Sequence, residues 1–184
     1  MLDLIGVKDA NLTRRCFVAA ALLPAGWARA DGAHEAGLKA KLTYNLARFA
    51  QWPASTFSSP NDPLVICVAH ASEAVAAAFT ELEGQPVAGH RINVVLRPEG
   101  AIRPCQVLFV QDMGARGGPQ WPAFAAGAAA LTIGDSEGFA ARGGMVELVN
   151  VNDTMRFDVN LKNLRSAQIG LSSQVLKLAR QVRE

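Results

Sequence analysis

Six apolar residues in a row, Leu64-Val65-Ile66-Cys67-Val68-Ala69, constrain this chain more than any other segment. A strand with one wet face alternates apolar and polar residues, and this run does not alternate. It predicts a strand buried on both faces, the environment of a parallel sheet covered on each side. Ile92 to Leu96, Val107 to Gln111 and Ala130 to Ile133 read as its companions. Between and before them lie helical patterns. Leu38, Leu42, Leu46, Phe49 and Trp52 recur at helical spacing from His34 to Trp52, and Pro53 ends that helix. Ser72 or Glu73 to Leu82 is Ala-rich and helical, and a short helix is expected near Pro119 to Ala126.

The last third has another character. Met145 to Val151 and Met155 to Asn160 flank Asn152-Asp153-Thr154, the pattern of a hairpin. Leu164, Ala167, Leu171, Val175, Leu178 and Val182 mark one face of a long helix over Leu161 to Val182. Lys177, Arg180 and Arg183 gather at its C-terminal end, where the helix dipole favours positive charge. The chain of 184 residues suits one domain, and no repeat or linker divides it. The expected architecture is a single Rossmann-like α/β domain. Its mostly parallel sheet is flanked by helices and carries an antiparallel edge hairpin.

Residues 1–30 stand apart from that domain. Arg14 and Arg15 precede an apolar run from Cys16 to Leu23, and Ala28-Arg29-Ala30 has the small-x-small form of a signal-peptidase site. Export with cleavage between Ala30 and Asp31 is therefore expected, leaving residues 31–184 as the mature domain. The run is far short of the roughly 20 residues that cross a bilayer. Thr13-Arg14-Arg15-Cys16-Phe17-Val18 also fits a twin-arginine signal, so both export routes stay open. Cys16 is no lipoprotein acceptor, because charged and polar residues precede it. The formal charge of +2 belongs to this segment, which carries four basic and two acidic residues. The remainder is neutral, which argues against a nucleic-acid binder.

Removing the signal leaves Cys67 and Cys105. In an oxidising compartment an even count favours one disulfide, and two buried thiols are the alternative. No metal pattern accompanies them, since His34, His70 and His90 are scattered. Catalytic signatures are missing too. Gly114, Gly117 and Gly118 lack the dinucleotide order, no G-x-S-x-G occurs, and Ser172-Ser173 sit within the expected helix. The segment richest in unusual residues runs from Gly134 to Met145. Asp135, Gly138, Phe139, Gly143 and Gly144 make it either a ligand or partner loop at a strand's C-terminal edge, or a turn that needs glycine with Asp135 as a helix N-cap. Asp135 and Glu137 have no partner for acid–base work. No catalytic residue, cofactor or metal is expected.

In order, the segments resemble the YfiR-like family. The resemblance rests on Lys39-Ala-Lys-Leu-Thr-Tyr44-Asn45-Leu-Ala-Arg48-Phe49-Ala-Gln-Trp52-Pro53, Pro63-Leu-Val-Ile-Cys67-Val and Cys105-Gln-Val-Leu-Phe-Val. It continues through Leu131-Thr-Ile-Gly134-Asp135, Gly138-Phe139, Gly143-Gly144-Met145, Arg156-Phe157-Asp-Val-Asn160-Leu and Gly170-Leu171-Ser172-Ser173-Gln-Val-Leu176. It implies a periplasmic regulator, often dimeric, that binds the periplasmic part of an inner-membrane diguanylate cyclase and holds it inactive. Relief of that inhibition would raise cyclic di-GMP and favour biofilm formation. Cys67 and Cys105 fall where the family's long-range pair falls. A second Cys pair found in some relatives near Gly143-Gly144-Met145 is absent here, which leaves Cys67–Cys105 as the redox element. The other reading of the same frame is a periplasmic small-molecule-binding module serving a transporter or receptor. Trp121 and the basic end of the last helix are the expected partner contacts.

Overall fold

The structure is a computed structural model that describes residues 26–96, 105–111 and 129–184. Most of the expected signal, the Gly114 to Gly118 loop, the helix near Pro119 to Ala126 and Trp121 lie outside the described residues.

The chain begins with α1 (Gly26–Arg48), β1 (Ala50–Gln51), β2 (Leu64–Ala69), α2 (Glu73–Thr80), β3 (Pro86–Val87) and β4 (His90–Leu96). It continues with β5 (Val107–Val110), β6 (Leu131–Gly134), β7 (Val146–Val151) and β8 (Thr154–Asn160). It ends with α3 (Leu161–Ser166), β9 (Gly170–Leu171), α4 (Ser173–Leu176) and β10 (Gln181–Arg183). Eight strands form one sheet in the order β10-β8-β7-β6-β5-β2-β4-β3. The middle five, from β7 to β4, are parallel. β8 returns antiparallel beside β7 as the expected hairpin, with Asn152 and Asp153 left-handed at its turn. The Rossmann-like expectation holds: this is a mostly parallel α/β sheet with helices and an antiparallel edge.

Burial explains why Leu64–Ala69 does not alternate. Leu64, Ile66 and Val68 meet one core, while Val65 and Cys67 meet a second on the opposite face. The first core is broad. Ala36, Ala40, Leu46 and Ala47 of α1, with Val75 and Phe79 of α2, pack on Val107, Phe109, Leu131, Ile133, Val146 and Leu148. The Phe79 and Phe109 rings lie 4.7 Å apart. Ser72 caps α2 by accepting from the Val75 N–H.

Two expectations change. The first helix stops at Arg48 rather than Trp52, because Ala50–Gln51 pair antiparallel with Gly170–Leu171. Trp52 then turns inward and donates from Nε1 to the Gln106 carbonyl at 3.2 Å. The long helix over Leu161 to Val182 does not form. After α3, Gln168 takes a φ of +57° and Gly170–Leu171 are drawn into β9. The Ser172 hydroxyl then accepts from the Val175 N–H and starts the single turn of α4. Leu164 and Val175 are buried as the apolar stripe requires, whereas Leu178 and Val182 are exposed. Strand pairing outweighs helical spacing here, as tertiary context commonly does. The basic residues therefore do not crown a helix, and Arg183 lies in an edge strand instead.

Candidate functional site

The second face of the sheet gathers the residues singled out by sequence. β2 and β5 are parallel neighbours with Cys67 opposite Leu108, and Cys105 precedes β5 by two residues. A disulfide joins Cys67 to Cys105, with 5.8 Å between their Cα atoms. Gln106 fixes the approach. Its N–H donates to the Val65 carbonyl at 3.0 Å, and its Oε1 accepts from the Val65 N–H at 2.7 Å. Its own carbonyl accepts from the Leu131 N–H as well as from Trp52. The bond packs among Val65, Leu108, Val110 and Phe139, all buried.

Phe139 belongs to the glycine-rich loop and is fully buried. Its ring is clamped between Gly134 and Gly144. A Cβ on Gly134 would stand 2.5 Å from the ring, and one on Gly144 would stand closer still. These two glycines are needed for close approach, not for backbone freedom. Gly138 and Gly143, by contrast, are left-handed, with φ of +73° and +104°. Arg142 folds back over the turn, donating to the Glu137 carbonyl at 2.5 Å and to Ser136 Oγ at 3.1 Å.

Buried carboxylates hold the loop from beneath. Glu147 accepts from the Gly138 N–H at 2.8 Å and from the Ala140 N–H at 3.0 Å. Asn160 Nδ2 donates to the Ala140 carbonyl, and Asn163 Nδ2 to that of Gly144. Asp158 stands directly across from Glu147 on β8 and is fully buried. Two facing acids would repel, but each has its own compensation. Amides serve Glu147, and Arg180 grips Asp158 with two bonds of 2.9 and 2.6 Å. That bonding and the Asp158 charge hold the Arg180 guanidinium above its ordinary range.

Asp135 leaves the loop in another direction. Lys39 of α1 reaches it at 2.6 Å and also meets Glu35 at 2.5 Å. Burial pulls the Lys39 ammonium down, but hydrogen bonds and charge from Asp135 and Glu35 outweigh it and raise the lysine above its usual range. Asp135 is thus a partner of the first helix, where an N-cap was the expectation under the turn reading. The structure brings the turn that carries Gly138, Phe139, Gly143 and Gly144 against Cys67 and Cys105 on the second face, whereas Asp135 turns to α1 on the first. Ala30 and Asp31 lie apart, within the helical span of α1. The histidines are dispersed. His90 donates from Nδ1 to the Asp62 carbonyl and stacks on Phe57, and His70 is exposed at a φ of +55°.

Sequence reasoning missed Gln106, Glu147, Asp158 and Asn160. Glu147 and Asp158 did leave a signal, each being an acid flanked by apolar strand residues, Val146 and Leu148 for one and Phe157 and Val159 for the other. With the Gly138, Phe139, Ala140, Arg142 and Gly144 amides all bonded within the domain, the loop offers an outer surface of Glu137, Ala141, Arg142 and Gly143, all exposed. Such a surface is suited to recognition by shape. A separate groove of about 360 Å³ lies between α1 and the end of α2, lined by Lys41, Tyr44, Asn45, Glu81 and Gln85 among others.

No helix among the described residues is long and apolar enough to cross a membrane. No curated protein matches the chain. A solved structure described as an ABC domain in complex with L-Trp, from Streptococcus pneumonia, is similar at 15% identity and a TM-score of 0.48. The alignment covers 80% of this chain and 60% of that one, so the chain spans less than two thirds of its length. A family model described as YfiR/HmsC-like matches residues 36–180. The match opens at Ala36, a buried residue of α1, takes in both cysteines and the clamped loop, and closes on Arg180. It covers nearly the whole domain, and the chain belongs to the YfiR/HmsC-like family.

Proposed function

We propose that this protein is an exported periplasmic regulator that binds the periplasmic region of an inner-membrane diguanylate cyclase and represses it. Lower cyclic di-GMP and reduced biofilm formation would follow from that repression. The observation that carries the reading is the YfiR/HmsC-like match over residues 36–180, a family that points to periplasmic regulation of diguanylate cyclases. The protein acts by binding rather than by catalysis. Export rests on the basic, apolar and small-x-small order of residues 1–30, with cleavage after Ala30. Asp31 to His34 are exposed, so the described core begins beyond the cleavage point.

The Cys67–Cys105 bond makes the repression redox-sensitive. The bonded cysteines are 38 residues apart, so the chain-entropy model gives about 4 kcal/mol of stabilisation. Phe139 packs in the same cluster as the disulfide, so the loop's outer surface rests on the oxidised bond. Reduction frees the cysteines and loosens that support, and the population able to hold the cyclase falls. The test is capture of the cyclase from detergent-solubilised membranes by the purified protein, with and without reductant, alongside Cys67→Ser/Cys105→Ser. Retention by the oxidised protein and loss on reduction are expected. Equal capture in every condition sinks the redox element, and no capture of any membrane cyclase sinks the regulator.

A further inference from the structure

We infer that the end of the domain formed by β8, α3 and β10 docks on an anionic phospholipid surface, with Leu178 entering the headgroup layer between flanking cations. The inference rests on the periplasmic reading above and goes beyond it, because it makes no use of the cyclase.

The neutral charge of residues 31–184 conceals a division along the chain. From the hairpin turn at Asn152 to Glu184 there are six basic residues against Asp153, Asp158 and Glu184. Residues 31–151 carry eight basic and eleven acidic ones, so a positive end is offset by a negative remainder. The fold keeps the six together. Arg183 lies opposite Asn160, which caps α3, and Lys162 and Arg165 stand one turn apart on that helix. Arg165 reaches Glu184 at 3.6 Å, which sets α3 beside the end of β10. Where β10 begins, Arg180 grips Asp158 of β8, and its N–H donates to the carbonyl of Phe157, next to Arg156. Lys177 is three residues before Arg180. All six are exposed.

Most of these charges are not spent within the domain. Arg180 is committed to Asp158, and Arg165 shares an exposed contact with Glu184 of the kind that contributes little. Arg156, Lys162, Lys177 and Arg183 make no ion pair among the described residues. A fixed acidic site on a protein calls for cations held in place. These four come from β8, α3, the turn after α4 and β10, and among the described residues only Arg183 donates from its side chain, to Gln181. Long side chains of this kind suit a diffuse negative field, which is what a lipid surface presents.

Leu178 decides for a membrane over an acidic protein. It is 68% exposed, more than any other large apolar side chain described. Its N–H donates to the Val175 carbonyl and that of Ala179 to the Leu176 carbonyl, so a closed turn presents it to solvent. Lys177 precedes it directly and Arg180 follows two residues later. An apolar residue between cations is the pattern of interfacial membrane contact, in which the cations meet phosphates and the leucine leaves water. One leucine with a few charges gives weak, reversible attachment and not an anchor.

The test is co-sedimentation of the purified, oxidised protein with vesicles of phosphatidylcholine alone, or of phosphatidylcholine with about one third phosphatidylglycerol. Binding is expected to the anionic vesicles only, and it should vanish in about 1 M salt, where the screening length falls to about 3 Å. Each cation near such a surface is worth about fivefold, so Lys162→Gln/Lys177→Gln/Arg183→Gln should weaken binding roughly a hundredfold. Arg180 is left in place, because its loss would strand the buried Asp158. Lys41→Gln/Arg48→Gln/Arg91→Gln removes as many exposed charges from α1 and β4 and should bind like the wild type. With Cys67 and Cys105 bonded, Leu178→Cys can carry an environment-sensitive fluorophore, whose emission should shift to the blue on anionic vesicles. The same label on Ala77→Cys, an exposed position of α2, should not shift. Equal losses from the two triple variants would reduce the effect to bulk charge and overturn the assignment, as would a Leu178 label that stays in water. No binding to either vesicle overturns it as well and leaves these cations to an acidic protein, while capture of the cyclase from detergent would still stand.

Discussion

The two faces of this sheet are stabilised in different ways. Under α1 and α2, more than a dozen apolar side chains share the load. On the opposite face a small cluster is keyed by single features: one disulfide, one ring between two glycines, and two acids with separate partners. A broad core tolerates volume-conserving change, because many contacts remain after any one is altered. A keyed surface does not, because each feature has no substitute.

The contrast is sharpest at Phe139. Phe139→Ala is expected to cost about 3–5 kcal/mol in urea unfolding, the range for emptying a buried aromatic site. Phe79→Ala on the other face should cost a similar amount, with a different distribution. Hydrogen exchange should quicken across the whole domain for Phe79→Ala, but mainly over residues 134–144 for Phe139→Ala. If Phe139→Ala exchanges like Phe79→Ala, the second face is no separate unit.

Next in size is the disulfide. Cys67→Ala/Cys105→Ala should lower unfolding stability by about 4 kcal/mol, and the alanine pair avoids burying hydroxyls. Faster exchange at Gly138 and Ala140 without change in α2 would tie the bond to the loop. A loss spread evenly over both faces would break the comparison. Smaller again is Gly144→Ala, which drives a methyl into the Phe139 ring and should cost about 1–3 kcal/mol. In a Phe139→Ala background the same change should cost little, and the cycle should report a coupling of about 0.5–3 kcal/mol. Additive losses would mean that the clamp is not what Gly144 serves.

The faces also differed in how far they could be read from sequence. Leu64–Ala69 announced a doubly covered strand because burial on both sides erases alternation, and helical spacing located α1 and α2. The glycine loop could be found but not interpreted, because close approach to a ring and left-handed backbone both select glycine. Only Phe139 between Gly134 and Gly144 separates the two. Glu147 and Asn160 serve amides and carbonyls that are 7 to 20 residues away in the chain, and no local pattern encodes such pairings. The last segment misled for a related reason. Its apolar stripe satisfies helical spacing, yet Gly170–Leu171 are claimed by Ala50–Gln51 at the other end of the chain.

Lys39 carries the smallest effect and bears on how separate the faces are, since it ties α1 over the first core to Asp135 at the mouth of the loop. Its ammonium is held above the ordinary lysine value of 10.5, so the folded state binds that proton more tightly than the unfolded chain does. The stability this supplies is complete below the unfolded value. It is lost as pH rises through the higher folded one. Lys39→Met should therefore cost about 1–2 kcal/mol at neutral pH, the scale of a charged hydrogen bond. The deficit should shrink in strongly alkaline solution, where the wild type also loses its ammonium. Urea midpoints for both proteins from pH 7 to about 11, beyond the ordinary lysine pKa, measure the closing gap. A deficit that stays constant would reduce Lys39 to a packing contact. A deficit that closes, with exchange at Asp135 and Ser136 faster in the variant, would make it an ionic strut by which one face feels the other.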